Sequence, residues 1–147
     1  MQWNTGKLII PASVITIGDY AFAFDTGITG LLTIPSSVTT IGENAFYRYK
    51  DAIQVELDNK NYTSIDGVLF NKNITTLIKY PTTKTGDYTI PESVTTIGNY
   101  AFNGCNELKG RLNIPSSVTI IGEGAFAYCF GLTSVTIPAS CISEEKQ

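Results

Sequence analysis

Few side chains in this sequence are equipped for chemistry, and the commonest catalytic side chain is missing. The 147 residues include no histidine, which removes the usual general base and the usual zinc ligand. Three cysteines, Cys105, Cys129 and Cys141, could act as nucleophiles, bind a metal or form disulfides. No two of them have the CxxC spacing of a zinc site, so the sequence predicts no bound zinc.

Two sets of oxygen-bearing side chains remain. Residues 58–61 and Asp66 bring several oxygen-bearing side chains together. They do not fit the calcium-binding loop of an EF-hand, because Lys60 stands at the third position of such a loop and no glutamate stands at the twelfth. A turn rich in turn-forming residues explains this segment better. Three acidic residues each directly follow a glycine, namely Asp19, Glu43 and Glu123. They are interpreted as partners of exposed backbone N–H groups. The sequence therefore predicts no enzyme activity, no cofactor and no metal.

The composition narrows the possible partners. Apolar residues make up 43% of the chain and charged residues 16%, with a net charge of −3 and no cluster of lysine and arginine. A nucleic acid would need such a basic patch, so it is not a predicted partner. No apolar run reaches the roughly 18–20 residues of a membrane span, and the first residues do not resemble a signal peptide. These residues alone predict a cytoplasmic protein or a piece of a larger one.

An internal repeat must position all of these side chains. The pattern I-P-x-S-V-x-x-I-G-x-x-A-F starts at Ile10 and returns at Ile34, Ile90 and Ile114, while Ile137 opens a last, incomplete copy. One such coil cannot bury its own apolar face, so neighbouring coils must stack as the rungs of a solenoid.

Each residue type in the repeat has a physical role. Apolar and polar residues alternate before each Ile-Pro, which predicts strands with one buried face; these are residues 32–34, 55–57, 88–90, 112–114 and 135–137. The Ser-Val-x-x-Ile segment predicts a second short strand, because it is rich in β-branched residues. The glycine is expected to turn the corner with positive φ, and Ala-Phe to form a short helical turn. Stacking then aligns one phenylalanine per regular rung into a buried spine: Phe22, Phe46, Phe102 and Phe126.

The irregular stretch between the second and third copies fits the same repeat with one insertion. Leu57 takes the isoleucine slot and Asp58 the proline slot, so that the step to Ile90 is one rung plus about ten residues. Leu69 or Phe70 is expected to fill the spine position of this rung. The insertion reads as a protruding β-hairpin, with strands at residues 65–70 and 74–80 around a turn at 71–73.

These residues closely resemble the BspA-like, or Treponema-type, leucine-rich repeats. The resemblance rests on the repeated pattern, on residues 125–138, and on residues 61–72 followed by Tyr80 and Pro81, and it covers about residues 8–138. It implies a leucine-rich-repeat solenoid, a right-handed β-rich superhelix of short parallel strands with short helical turns and one β-hairpin insertion. A single domain is expected over residues 1–147, with rungs near 8–30, 31–53, 54–87 (with the hairpin), 88–111 and 112–134, and a partial rung at 135–147.

The resemblance also implies a function. Family members are large surface-attached or secreted proteins of anaerobic host-associated bacteria and some protists, and some bind host extracellular-matrix proteins or act as adhesins. The expected function is therefore a non-enzymatic protein-interaction or adhesion module at the cell surface, monomeric and not inserted in a membrane. A passive spacer in a larger surface protein is one alternative. A glycan-binding module is another, for which Trp3 or Tyr80 would supply an aromatic shelf.

The concave strand face is the natural binding surface of a solenoid. Two outward columns are expected, with one residue per rung: Thr33, Glu56, Thr89, Asn113 and Thr136, and beside them Leu31, Gln54, Asp87, Arg111 and Ser134. The alternative is that these are only solvated strand positions, because they are poor in the aromatic residues that dominate hot spots. The face, at roughly 300 Å², is also small beside the roughly 800 Å² per partner of a standard interface.

Two further features are candidates for function. The hairpin lysines, Lys72 and Lys79, are expected to be exposed and form the second-choice contact site. Cys105 and Cys129 share one repeat position on adjacent rungs, which puts their backbones near disulfide range. The favoured interpretation is two buried thiols that pack as small apolar residues. Cys141 lies beyond the last full rung and is the better candidate for reactivity or intermolecular pairing.

Overall fold

Short strands alternate with tight turns along the chain, as its β-branched residues and prolines predict. The structure, a computed structural model, describes residues 8–23 and 30–144. Those residues form eleven strands and one 3-10 helix, and none of their helical segments is long and apolar enough to cross a membrane. The elements are β1 (Thr16–Ile17), β2 (Leu32–Ile34), β3 (Thr40–Ile41), β4 (Ile53–Val55), β5 (Tyr62–Ile65), β6 (Val68–Asn71), β7 (Thr76–Lys79), β8 (Thr96–Ile97), β9 (Gly110–Asn113), β10 (Ile120–Ile121), β11 (Leu132–Thr136) and the 3-10 helix (Ala139–Glu144).

The strands stack in parallel from one repeat to the next, which confirms the solenoid. The Ser-Val-x-x-Ile segments pair as β1 with β3 and as β8 with β10, and β7 from the insertion extends the second ladder beside β8. The strands before Ile-Pro pair as β2 with β4 and β9 with β11. Residues 88–90, predicted as a strand, form none. The insertion occupies the edge of β4 that they would need, since Ile53 N donates to Gly67 O (3.1 Å) and Val55 N to Ser64 Oγ (2.8 Å).

The third rung has a different register from the predicted one. β4 places Val55 opposite Ile34, so Val55 and not Leu57 fills the isoleucine slot, and Leu57 is 93% exposed. The chain turns early because Asn59 N donates to Glu56 O (3.0 Å), in the same turn that Pro-x-x-Val closes in the regular rungs. Glu56 therefore stands in the place of the proline, beyond the end of β4.

Side-chain hydrogen bonds tie each of these turns to the preceding rung. The hydroxyl of Ser37 donates to Val14 O, and the hydroxyl of Ser117 donates to Val94 O, both at 2.7 Å. The serine of the repeat thus satisfies a turn carbonyl that the strand ladders leave without a partner. This contact gives the serine a structural reason to recur in the pattern.

In the irregular rung, Asn59 stands at the valine position, and its side chain makes the contact that the serine makes in the regular rungs. Its Nδ2 donates to Pro35 O (2.9 Å) and Val38 O (3.0 Å) in the preceding turn. Its Oδ1 accepts hydrogen bonds from the N–H groups of Asn61 (2.8 Å) and Tyr62 (2.9 Å). The segment at residues 58–61 is therefore a turn, as predicted, and one buried carboxamide holds it.

Replacing Asn59 with alanine is expected to lower the free energy of unfolding by about 1–3 kcal/mol, because backbone groups that it satisfies stay buried without partners. Urea denaturation followed by circular dichroism measures the change. Asn73→Ala is the matched control, since Asn73 is exposed in the β6–β7 turn. An Asn59 variant as stable as this control would contradict the structural role of the carboxamide.

The predicted hairpin forms, since β6 and β7 pair antiparallel around residues 72–75, but it does not protrude and β5 adds a third antiparallel strand. β5 and β6 are joined by Asp66 and Gly67, whose φ angles of 52° and 86° suit the tight turn of a hairpin. β6 also pairs with β7, which then pairs in parallel with β8 so that Leu77 lies opposite Ile97. The second predicted hairpin strand is therefore part of the solenoid ladder.

This placement buries Lys79, which the sequence predicts to be exposed. Lys79 is only 2% exposed at the end of β7. Tyr80 N donates to Ala101 O (2.9 Å), just as Phe102 N donates to Ala125 O (2.8 Å) in the next rung. Lys79 therefore takes the position that alanine has in the regular rungs, and the prediction of a contact residue was wrong.

Two buried clusters fill the solenoid, and β6 lies between them. Leu69 packs into the N-terminal cluster, which contains Phe46. Val68 and Phe70 pack into the C-terminal cluster, which contains Phe102. Neighbouring residues of one strand point to opposite faces, so a single strand can seal both clusters.

The phenylalanine spine forms in two pieces. The rings of Phe22 and Phe46 stack with centroids 5.5 Å apart, and those of Phe102 and Phe126 with centroids 5.2 Å apart. Tyr80 packs on Phe102 at 5.0 Å. The spine is thus confirmed within each half, but Tyr80 fills the irregular rung, where Leu69 or Phe70 was predicted.

The Ala-Phe segments are tight turns, and the predicted short helices do not form. Ala101 N donates to Gly98 O (3.2 Å), but Tyr100 between them has a left-handed φ of 56°, which ends helical geometry. None of the four rung glycines has the expected positive φ, and three of them, Gly42, Gly98 and Gly122, pack closely on the preceding rung. A Cβ on Gly122 would lie 2.6 Å from Asn99 N of the preceding rung, so no larger residue fits there.

Candidate functional site

The predicted strand-face columns exist only in parts. The register sets three pairs of predicted residues side by side: Thr33 with Gln54, Arg111 with Ser134, and Asn113 with Thr136. Thr33 is half-buried and the other five are exposed. Asp87 and Thr89 are exposed but lie outside any strand, and Glu56 lies past the end of β4. No single ladder joins the two halves of these columns among the described strands.

The strand face carries little that would dominate a binding interface. The carboxylate of Glu56 accepts a hydrogen bond from Ser36 N (2.7 Å), so it supports the neighbouring turn. Hot spots are enriched in Trp, Tyr and Arg, and Arg111 alone among the predicted strand-face residues is of these types. These positions have polar, solvated surroundings. None of them lines either of two clefts of the molecule.

A second surface, which the sequence did not predict, is built from aromatic side chains on the turns. We call it the aromatic surface and define it by five residues: Tyr20, Tyr47, Tyr100, Tyr128 and Phe130. Tyr47 contacts both Tyr20 and Tyr100, with ring centroids 6.2 Å and 4.4 Å apart. Tyr128 and Phe130 form an edge-to-face pair 5.9 Å apart, and they are 60% and 79% exposed.

The backbone of the turns explains why these rings face outwards. Tyr20, Tyr100 and Tyr128 have φ angles of 59°, 56° and 61°, which reverse the chain locally just where the spine residues turn inwards. Tyr100 lies over Gly124 of the next rung, where an added Cβ would meet the ring at 2.4 Å. The missing side chain of Gly124 therefore makes room for the ring of Tyr100.

A cavity of about 330 Å³ opens beside the exposed pair. Its lining combines the two rings with polar side chains: Arg48, Thr82, Asn103, Asn106, Tyr128 and Phe130. Asn106 Oδ1 accepts a hydrogen bond from Phe130 N (2.9 Å), which fixes the backbone that carries the most exposed ring. The cavity therefore offers aromatic surface and a guanidinium at one place.

The sequence contained two signals for this surface. Tyr20 and Tyr100 stand at the same repeat position, two residues after the rung glycine. Phe24 and Tyr128 also share a position, two residues after the spine phenylalanine, whereas Phe130 has no aromatic counterpart in the other regular rungs. The repeat pattern draws attention to residues that stack, whereas these residues lie outside the stacked core.

The other sequence-based candidates have clear outcomes in the structure. Lys72 is exposed in the β6–β7 turn, whereas Tyr80 is fully buried and cannot serve as a glycan shelf. Trp3 lies outside the described residues. Cys105 and Cys129 are free thiols, Cys105 buried and Cys129 half-buried, which agrees with the favoured interpretation.

The family of the chain follows from its repeats and its fold. The model of the BspA type leucine rich repeat region matches in six copies, over residues 1–87 and 79–147. The chain therefore belongs to the BspA type leucine-rich repeat family, as its sequence pattern predicts. No curated protein sequence matches it.

Solved structures share the leucine-rich-repeat solenoid. The pneumococcal vaccine antigen PcpA has a TM-score of 0.80 and 34% identity, over 87% of this chain and 32% of its own. A leucine rich cell surface protein from Faecalibacterium prausnitzii has a TM-score of 0.74 and 33% identity, over 90% of this chain and 38% of its own. A leucine-rich repeat protein from Eubacterium ventriosum has a TM-score of 0.73 and 28% identity, over 92% of this chain and 46% of its own. The chain thus spans less than half the length of these proteins.

Proposed function

We propose that this chain is a non-enzymatic protein-binding module of a bacterial surface protein, and that the aromatic surface is its main contact. The observation that carries the proposal is the exposed pair of Tyr128 and Phe130 beside Arg48 at one cavity. Tyrosine and arginine dominate interface hot spots, and covering an exposed ring with a partner makes the free energy of binding more favourable. The 33% identity to a cell surface protein supports the location.

The volume of the cavity limits which part of a partner could enter it. About 330 Å³ accommodates one or two side chains and not a whole folded element. A partner that inserts an aromatic side chain beside the rings of Tyr128 and Phe130 would be complementary. A host extracellular-matrix protein is the partner class that fits the family resemblance, and adhesion is then the role of the module.

A passive spacer is the second candidate function. It is supported by the polar strand face and by the fact that the chain spans less than half of its structural relatives. In that case the rungs only hold other parts of a larger protein apart. If the aromatic surface is not the contact, the strand face is the alternative, with Arg111, Asn113 and Thr136 at its centre.

Biolayer interferometry of the chain against fibronectin, fibrinogen, laminin and mucin glycans tests the proposal. Saturable binding to one of the proteins is expected, and the variant Tyr128→Ser, Phe130→Ser should weaken it at least about tenfold, since two hot-spot side chains are removed. Both side chains are exposed, so the variant is expected to fold like the parent chain.

A strand-face variant, Glu56→Lys, Arg111→Glu, is the matched control. It changes the charge of two exposed positions and is expected to keep the affinity within about threefold, which is the range of rim charges. Loss of binding in this variant, with full binding in the aromatic one, would move the contact to the strand face. No saturable binding at tens of micromolar would favour the spacer, and saturable binding to the glycans alone would favour a glycan-binding module.

A further inference from the structure

The buried lysine at the end of β7 needs an explanation that packing does not provide. The side chain of Lys79 is 2% exposed, and its Nζ has no hydrogen-bond partner among the described residues. The regular rungs place an alanine at this position, so the fold itself does not demand a cation there. Burying an ammonium group without a partner destabilises the folded state. A role that depends on this charge would explain why a lysine stands there.

Two thiols lie in the same part of the core. Cys129 Sγ donates to Phe102 O (2.8 Å), and Cys105 Sγ makes the same bond one rung earlier, to Tyr80 O (3.6 Å). Each thiol proton thus points to a backbone carbonyl, and the two sulfur atoms influence each other as neighbours. Equivalent positions on hydrogen-bonded rungs are about 4.8 Å apart, which lies within the range of Cα separations that a disulfide spans.

The charge of Lys79 acts on both sulfur atoms. The neighbouring Cys105 lowers the pKa of the Cys129 thiol against the opposing effect of burial, and the Lys79 ammonium also acts to lower it. The neighbouring Cys129 and burial raise the pKa of the Cys105 thiol, although the Lys79 ammonium acts to lower it. The half-buried Cys129 is therefore the more acidic and more accessible thiol, while the buried Cys105 stays protonated. This is the division of roles between an attacking and a resolving cysteine.

We propose that Cys105 and Cys129 are an oxidisable pair that closes to a disulfide between neighbouring rungs, with Lys79 as the buried cation that activates Cys129. The oxidant is a small-molecule disulfide. The Cys129 thiolate attacks one of its sulfur atoms, which forms a mixed disulfide and releases one thiolate. The Cys105 thiol then loses its proton and attacks Sγ of Cys129, which releases the second thiolate. The two cysteines lose two electrons and two protons, and the small disulfide is reduced to two thiols.

Incubation of the full chain with excess oxidised glutathione at neutral pH tests this proposal. Remaining thiols are alkylated after unfolding, and intact and peptide masses are measured. The expected product carries a single alkyl group, on Cys141, and has lost two hydrogens because Cys105 is linked to Cys129. Cys141 is the internal control, because it is buried and donates to Val118 O (3.1 Å) away from the pair. A product without this link, or with Cys141 in it, would overturn the proposal.

Three variants test the roles of the residues. Cys105→Ser should stop at the glutathione adduct of Cys129, and Cys129→Ser should leave Cys105 unmodified. Lys79→Met should slow the alkylation of Cys129 in the native chain at least about twofold, since it removes a cation that favours the thiolate. An adduct on Cys105 in the Cys129 variant, or an unchanged rate in the Lys79 variant, would refute the assigned roles. Circular dichroism confirms that each variant is folded.

Discussion

Replacing Phe102 with alanine is expected to lower the free energy of unfolding by about 3–5 kcal/mol, the range for a large buried ring. Phe102 is fully buried, and its ring lies 5.0 Å from Tyr80 and 5.2 Å from Phe126. The substitution removes the middle ring of the C-terminal spine, and the neighbouring rings cannot close the gap because backbone ladders hold their rungs in place. Urea denaturation followed by circular dichroism measures the loss.

Phe130→Ala is the matched control for this prediction. It removes the same side chain from a position that is 79% exposed, so its effect on stability should stay within about 0.5 kcal/mol. A Phe102 variant that loses less than about 1 kcal/mol would contradict the spine, since no large buried ring would then have been removed.

Replacing Lys79 with methionine is expected to raise the free energy of unfolding at neutral pH by about 3 kcal/mol. Burial lowers the pKa of Lys79 from its usual 10.5 to about 8, and the nearby Cys105 and Cys129 only partly offset this effect. The buried ammonium therefore destabilises the folded state by the free energy that corresponds to this difference. Methionine has a similar length and fills the same space without a charge.

The pH dependence distinguishes this effect from simple packing. Below about pH 8 the lysine is charged in both the folded and the unfolded chain, so its full cost is present. Between about 8 and 10.5 the folded chain loses the proton first, and the advantage of the methionine variant should shrink. Lys72→Met, at an exposed position, should leave stability nearly unchanged throughout. A Lys79 variant less stable than the parent chain would show that the ammonium has a partner that stabilises it.

The regular rungs could be predicted from the sequence because one physical rule dominates them. Ile34, Val38 and Phe46 recur with the period of the repeat, and each must be buried for coils to stack. The same rule failed at Leu57, which continues the alternation of apolar residues although the chain has already turned at Glu56. Backbone hydrogen bonds decide whether a segment continues as a strand or turns. The alternation of apolar residues does not show where those bonds form.

The features outside the repeat could not be predicted for related reasons. Lys79 lies between Ile78 and Tyr80, as an exposed strand residue would, but β7 places it on the same face as the buried Leu77. The aromatic surface depends on left-handed φ angles at Tyr20, Tyr100 and Tyr128. The residue type alone does not predict such angles, because tyrosine rarely adopts them. Stacking is visible in composition and periodicity, whereas recognition surfaces arise from how the turns are folded.

The most direct test of the proposed function is hydroxyl-radical footprinting of the chain, alone and saturated with a protein partner found by interferometry. The measured quantity is the oxidation rate of each exposed side chain, read by mass spectrometry. Protection of Tyr128 and Phe130 is predicted, with Leu57 unchanged as an internal control at 93% exposure. Equal oxidation of both rings in the two states, with protection confined to the peptide that carries Arg111, would contradict the aromatic surface as the main contact.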